Sequence, residues 1–183
     1  MADTCPRPAR LIHIVDNTHD PVLSLVSGQG ICEYATLGHC WGGTVPNRLL
    51  KENIGLLQNN IDWSTLAATF RDAVRVASTL GFAYLWINAL CIIQDSREDW
   101  TTQAGTMTDV YAGSALNICA AASHDSRGGL FRTRDPTKPS PFIVPGTTNR
   151  LWQRCFVDDW NTAFRQAPLY DRAWVIQERY LAT

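Results

Sequence analysis

The clearest periodicity in the chain runs from Trp63 through Leu66, Phe70, Ala73, Val74 and Ala77 to Leu80, apolar positions three or four apart that share one helical face. Asp62 stands where a first-turn cap belongs and Gly81 where a helix stops. Residues 84–93, directly after it, are apolar at consecutive positions. That pattern predicts a strand covered on both faces, as in a parallel sheet. Residues 31–37 and 115–122 are also apolar and rich in β-formers, and predict two more strands. Ser96 and Asp99 have the spacing of a capping box, Trp100, Ala104, Met107 and Tyr111 share a side, and Gly113 closes this second helix. The middle of the chain therefore reads strand, helix, strand, helix, strand. Right-handed crossovers convert that order into an α/β fold: an open, mainly parallel sheet with flanking helices.

The two ends have a different pattern. Residues 10–15 and 22–26 flank a turn-rich stretch and predict an N-terminal β-hairpin. Residues 125–145 are rich in Arg, Gly, Thr and Pro and predict a long irregular loop region with a short strand at 142–144. Residues 152–160 predict another edge strand, and Pro168 precedes a final helix carrying Trp174 and Glu178 one turn apart. The expectation is a single domain over 1–183, with residues 1–30 as the hairpin and 31–183 as the core.

Composition narrows the function classes. A 183-residue chain that is 45% hydrophobic can bury a sizeable core, and a net charge of -1 gives phosphate backbones nothing to bind, so no nucleic acid is expected. The apolar run 82–93 contains Asn88 and is too short to span a bilayer, and the first residues form no signal-peptide pattern. No membrane association and a cytoplasmic location are expected. The six cysteines form no C-x-x-C pair and are read as small apolar residues, with no metal site.

Ligands of open parallel sheets collect beyond the carboxyl ends of the strands, which here carry His39, Gln94, Asp95, Ser123 and His124. A blander role for them is capping and turning the chain. Glu178 is the best candidate for chemistry, because a carboxylate beside an indole lies partly in an apolar setting and responds to a cationic transition state. Cleavage of a ribose–nicotinamide bond passes through such an oxocarbenium-like state. The alternative pairs Glu178 with Arg172 or Arg179 in a structural ion pair. No nucleophile elbow, phosphate loop or zinc helix motif occurs.

Three segments carry a family resemblance: Tyr34, Leu37, His39, Trp41 and Gly42; then Trp86, Ile87, Leu90, Cys91, Ile92, Gln94 and Asp95; then Arg172, Trp174, Gln177, Glu178 and Arg179. Together they are similar to the signatures Y-x-x-L-S-H/Y-x-W-G, W-I-D-x-L-C-I-x-Q-D and R-G/A-W-x-x-Q-E-R of the fungal heterokaryon incompatibility (HET) domain family. The segments 69–74, 107–111 and 121–131 agree as well, so the resemblance spans nearly the whole chain in order. It implies a cell-death domain triggered when genetically different hyphae fuse, with a distant similarity to Toll/interleukin-receptor (TIR) domains and hence a TIR-like or flavodoxin-like sheet. It further implies Glu178 as catalytic carboxylate and His39, Trp41, Gln94, Asp95, Arg172 and Trp174 as substrate-binding residues. The implied ligand is a nucleotide, with NAD as a substrate rather than a cofactor, and a homo-oligomer or signalling partner is expected. A non-catalytic interaction module, or a domain recruited to small-molecule metabolism, are the alternative roles. Gly38 replaces the family's usual Ser and Asn88 its usual Asp, removing a hydroxyl and a carboxylate.

Overall fold

The computed structural model describes residues 8–15, 21–43, 46–133, 143–144, 153–154 and 167–171. The hairpin forms where two segments flank a turn-rich stretch, as expected: β1 (Arg10–Val15) and β2 (Val22–Ser27) pair antiparallel, with Ile12 opposite Leu25 and Ile14 opposite Leu23. Leu11, Ile12 and Ile14 of β1 and the alternate residues Leu23 and Leu25 of β2 enter the core.

The parallel part is built from β3 (Ala35–Gly38), β4 (Tyr84–Ile87) and β5 (Leu116–Cys119). The sheet order is β2-β1-β4-β3-β5, with β3 parallel to both β4 and β5 and β1 antiparallel to β4. The expectation of a mainly parallel sheet is thus corrected to a mixed one, because the hairpin joins the sheet through β4. Within the parallel part the order β4-β3-β5 is the one with which flavodoxin-like sheets begin. All four residues of β3 are buried, as a central strand covered on both faces requires.

Each parallel strand is shorter than its apolar run. Residues 84–93 do not form one strand: β4 stops at Ile87 and α3 (Asn88–Cys91) follows as a single buried turn, closed by Ile92 N–H donating to the Asn88 carbonyl at 3.1 Å. An apolar run cannot by itself distinguish a strand from a buried helical turn. A further helix with no buried residue, α1 (Ile54–Asn59), has no counterpart among the expected elements.

The expected helix from Asp62 is also divided. Asp62 caps only a 3₁₀ turn, Trp63–Thr65, and α2 (Ala68–Thr79) starts after the extended Leu66. The break has a cause far away in sequence, since the Asn47 side-chain oxygen accepts from Ala67 N–H at 2.9 Å and holds it outside the helix. Phe70, Ala73, Val74 and Ala77 face the core as their spacing predicts. The stop at Gly81 is a Schellman turn, with φ at +87°, Gly81 N–H on the Ser78 carbonyl and Phe82 N–H on that of Ala77.

Ser96 caps α4 (Arg97–Ala112) by accepting from Asp99 N–H, and Gly113 ends it. Val110 and Tyr111 pack inward, where Tyr111 meets Trp86 edge to face with ring centroids 5.4 Å apart and Tyr34 donates to the Val110 carbonyl at 2.7 Å. The short strands β6 (Ile143–Val144) and β7 (Gln153–Arg154) pair with each other, inside the stretches expected to hold them. Pro168–Asp171 is a 3₁₀ turn; the helix expected after it, with Arg172, Trp174 and Glu178, lies outside the described residues.

Candidate functional site

Because β3, β4 and β5 run parallel, their carboxyl ends share one edge of the sheet, and the loops that follow meet there. The β3 loop docks on the β5 loop: Ala120 N–H donates to the Gly38 carbonyl at 2.8 Å, and a Cβ on Gly42 would fall 2.2 Å from that of Asp125. This is the β3–β5 crevice, the position of the topological switch in a sheet of this order.

The β5 loop is fixed from the other side by α2. Thr69 N–H donates to the Ser126 carbonyl at 3.0 Å, Thr69 Oγ1 accepts from Gly129 N–H at 3.1 Å, and Asp72 accepts from Leu130 N–H at 2.9 Å. Ser123 Oγ bonds the Gly129 carbonyl at 2.5 Å and receives Arg132 at 3.1 Å. Two segments that the sequence offers only as spacers, 69–74 and 121–131, are therefore a mated pair. Thr69, Asp72 and Ser126 were not among the expected site residues, and only their place inside these two segments could have pointed to them.

The expected site residues sort into different roles. His39 is 2% exposed and meets Phe70 edge-on, its ring 4.9 Å away, so it belongs to the wall behind the edge. Gln94 donates from its amide to the Asn88 and Ile92 carbonyls at 2.9 and 2.8 Å, clamping α3, and its own N–H holds the Leu49 carbonyl at 2.9 Å. Asp95 accepts from Lys51 N–H at 2.9 Å. The Gln94 backbone N–H and the Asp95 side chain thus fasten the 49–51 strip to the strand ends, while the Gln94 side chain holds α3. Trp41 is partly buried against the core.

Three polar atoms at this edge are buried and have no hydrogen-bond partner among the described residues: Trp41 Nε1, Asn88 Oδ1 and Ser126 Oγ. Each follows a different parallel strand. The register that sets Leu37 beside Ile87 brings Asn88 level with Gly38, while Gly42 against Asp125 brings Trp41 close to Ser126. An unpaired buried polar group costs roughly 1–3 kcal/mol, so each of these three groups has hydrogen-bonding capacity that a further partner would satisfy. The chain itself returns there: Leu169, 1% exposed, packs with Cys40 and Ala121, the loop residues after β3 and β5. Arg172, Trp174 and Glu178 follow within nine residues of it.

Behind the edge, the Cys91 thiol is pushed up to about 12, chiefly by burial and against the opposing pull of backbone hydrogen bonds and the Arg10 charge. It is a core group, not a nucleophile. Among the described residues no group of three or more His, Cys, Asp or Glu side chains is arranged to hold a metal ion, and no helix is long and apolar enough to cross a membrane. The cavities lined by described residues include one of about 400 Å³ beside residues 46–66 and one of about 350 Å³ under residues 118–122 and 129–131. His39, Trp41, Gln94 and Asp95 line neither.

No curated protein and no solved structure matches the chain. The model of the family described as heterokaryon incompatibility protein (HET) matches residues 34–178, which takes in all three segments but for Arg179, and the mated spacers between them. The chain belongs to the heterokaryon incompatibility (HET) family.

Proposed function

We propose that this HET domain is an incompatibility domain that signals cell death from the cytoplasm by binding a nucleotide at the carboxyl edge of its sheet and cleaving NAD there with Glu178. The observation that carries the reading is the seat of Leu169 on Cys40 and Ala121, at the edge where Trp41, Asn88 and Ser126 leave polar atoms unpaired; residues 172–178 follow Leu169 in sequence within nine positions. Arg172 would take a phosphate, Trp174 would stack on a ring, and the Glu178 carboxylate would stabilise positive charge on the ribose. The C1′–N bond breaks with its electron pair leaving on neutral nicotinamide. Water adds to C1′, its proton passes to solvent, and ADP-ribose remains. The TIR-like part of the reading rests on the family resemblance.

Nicotinamide release by the purified chain tests it, with Glu178→Gln as the control. Release that falls by at least about a hundredfold in the variant, the scale of a lost catalytic group, supports the reading. Equal release from both proteins, or none from either, removes the enzymatic claim.

A second reading is favoured by one specific observation. Gln94 and Asp95, the polar end of the second segment, are spent on backbone groups of Leu49, Lys51, Asn88 and Ile92. On that reading the segments build a scaffold for a signalling partner or a second copy of the chain, and Glu178→Gln leaves incompatibility intact in vivo.

A further inference from the structure

The larger cavity lies away from the residues so far given a role, and its chemistry differs. Its floor is apolar, made by Ile61, Leu66 and Leu90, each under 5% exposed, and Leu56 stands at its mouth 68% exposed. Its volume of about 400 Å³ is in the range of small-ligand sites, roughly 300–1,000 Å³. The polar side of the lining is ordered before any ligand arrives. Asn47 spends its oxygen on Ala67 N–H, which fixes the amide and leaves the NH₂ as a donor. Asn53 is held at both ends, by Leu50 N–H and the Arg48 carbonyl.

Arg48 lines the same cavity, and its guanidinium has neither a hydrogen bond nor an ion pair among the described residues, where the ion pairs are Arg10–Asp99 and Arg75–Asp72. The one carboxylate in the lining, Asp62, is occupied by Ser64, whose N–H and hydroxyl it accepts at 2.9 and 2.8 Å. Arg48 and the Asn47 NH₂ offer donors, the Asn60 amide lines the cavity with no side-chain hydrogen bond among the described residues, and the surface beneath them is leucine and isoleucine. We propose that this cavity binds a small amphipathic anion, a carboxylate or phosphate monoester on an apolar body, with the head on Arg48 and the Asn47 amide and the body on Leu66 and Leu90.

The Gln94 backbone N–H on the Leu49 carbonyl and the Asp95 carboxylate on Lys51 N–H hold the strip that carries Arg48 on one side and Asn53 on the other. The site stands whether or not Glu178 cleaves a nucleotide.

Octanoate, octyl phosphate and octanol titrated into the isotopically labelled full chain, read by NMR, decide the matter. The expected result is saturable shifts of the Asn47 and Asn60 side-chain amides with at least one of the two anions. Affinity should be about tenfold weaker for octanol and about tenfold weaker in Arg48→Gln, the effect of losing a charged hydrogen-bond partner. Arg48 is exposed, so this variant folds. The tighter of the two anions identifies the head group. Octanol binding as tightly as both anions, an Arg48→Gln variant with unchanged affinity, or no shift at Asn47 and Asn60 with any probe overturns the proposal. Glu178→Gln leaves these titrations unchanged, which separates this outcome from that of the nucleotide reading.

Discussion

Gly42 and Gly43 sit side by side with φ of +60° and +90°, yet the two positions are constrained differently. A Cβ on Gly43 meets nothing within 4 Å, whereas one on Gly42 collides with Asp125 and the His124 carbonyl. Gly43→Ala is expected to lose only the left-handed strain, about 1–2 kcal/mol, and Gly42→Ala at least about 2 kcal/mol more, because the two loops of the crevice must part. Denaturant midpoints of the two variants measure the difference, and equal losses would contradict the docking described. At Cys91 the sign of the pH dependence follows from its raised pKa. The native thiol stays protonated while the unfolded one ionises near 9.0, so the contribution of this group is complete below that pH and is lost as pH rises toward 12. Alkylation at neutral pH should accordingly label the exposed Cys32 and Cys119 and reach Cys91 only on unfolding, as mass spectrometry of the digests would show. That Cys91 is a core thiol was legible in the sequence. What His39, Gln94 and Asp95 bind was not, because their partners Phe70, Leu49, Asn88 and Lys51 are up to 45 positions away or are backbone groups that no residue pattern advertises.

Elements were legible where one face had to be buried and obscure where the competition was tertiary. The hairpin, the inward face of α2, its Schellman stop and the cap of α4 all follow from spacing and from single residues suited to their backbone. The start of α2 does not, since its deciding atom is the amide oxygen of Asn47. Likewise, Asp99 sits where a capping box would aim it at the Ser96 amide, but it serves Ile93 N–H at 2.7 Å, and both its oxygens accept from Arg10 Nη2 at 2.7 and 2.5 Å. That bond ties the hairpin to the first turn of α4, while Asp99 also holds the loop after α3 through Ile93 N–H, so Asp99→Ala should cost about 2–4 kcal/mol, the scale for stranding a partly buried cation, with Asp99→Asn intermediate. Equilibrium unfolding of the single and double variants with Arg10 measures the coupling. A related test addresses the mated spacers. Thr69→Val removes the acceptor for Gly129 N–H, and amide exchange at Gly129 and Leu130 should accelerate about tenfold while the β3 and β5 amides keep their protection.

At the scale of the whole molecule, the family match begins at residue 34, but the folded unit does not. β1 covers the edge of β4, Ile14 N–H donates to the Ala83 carbonyl at 2.8 Å, and Arg10 donates to the Cys91 carbonyl at 2.8 Å. A chain shortened to residues 31–183 would bare β4 along that side and strand Asp99, and it is expected to aggregate or to melt without cooperativity. A soluble, cooperatively melting monomer in chromatography and calorimetry would show the hairpin to be dispensable. The antiparallel joint has a geometric corollary. Since β1 travels against β4, its first residue stands where β4 finishes, so a peptide or reporter spliced in front of Pro8 would start from the carboxyl edge of the sheet, beside α3, and not from the opposite edge. Fusions there would crowd the edge that carries the strand-end loops, whereas an insertion between β1 and β2 would start from the other edge.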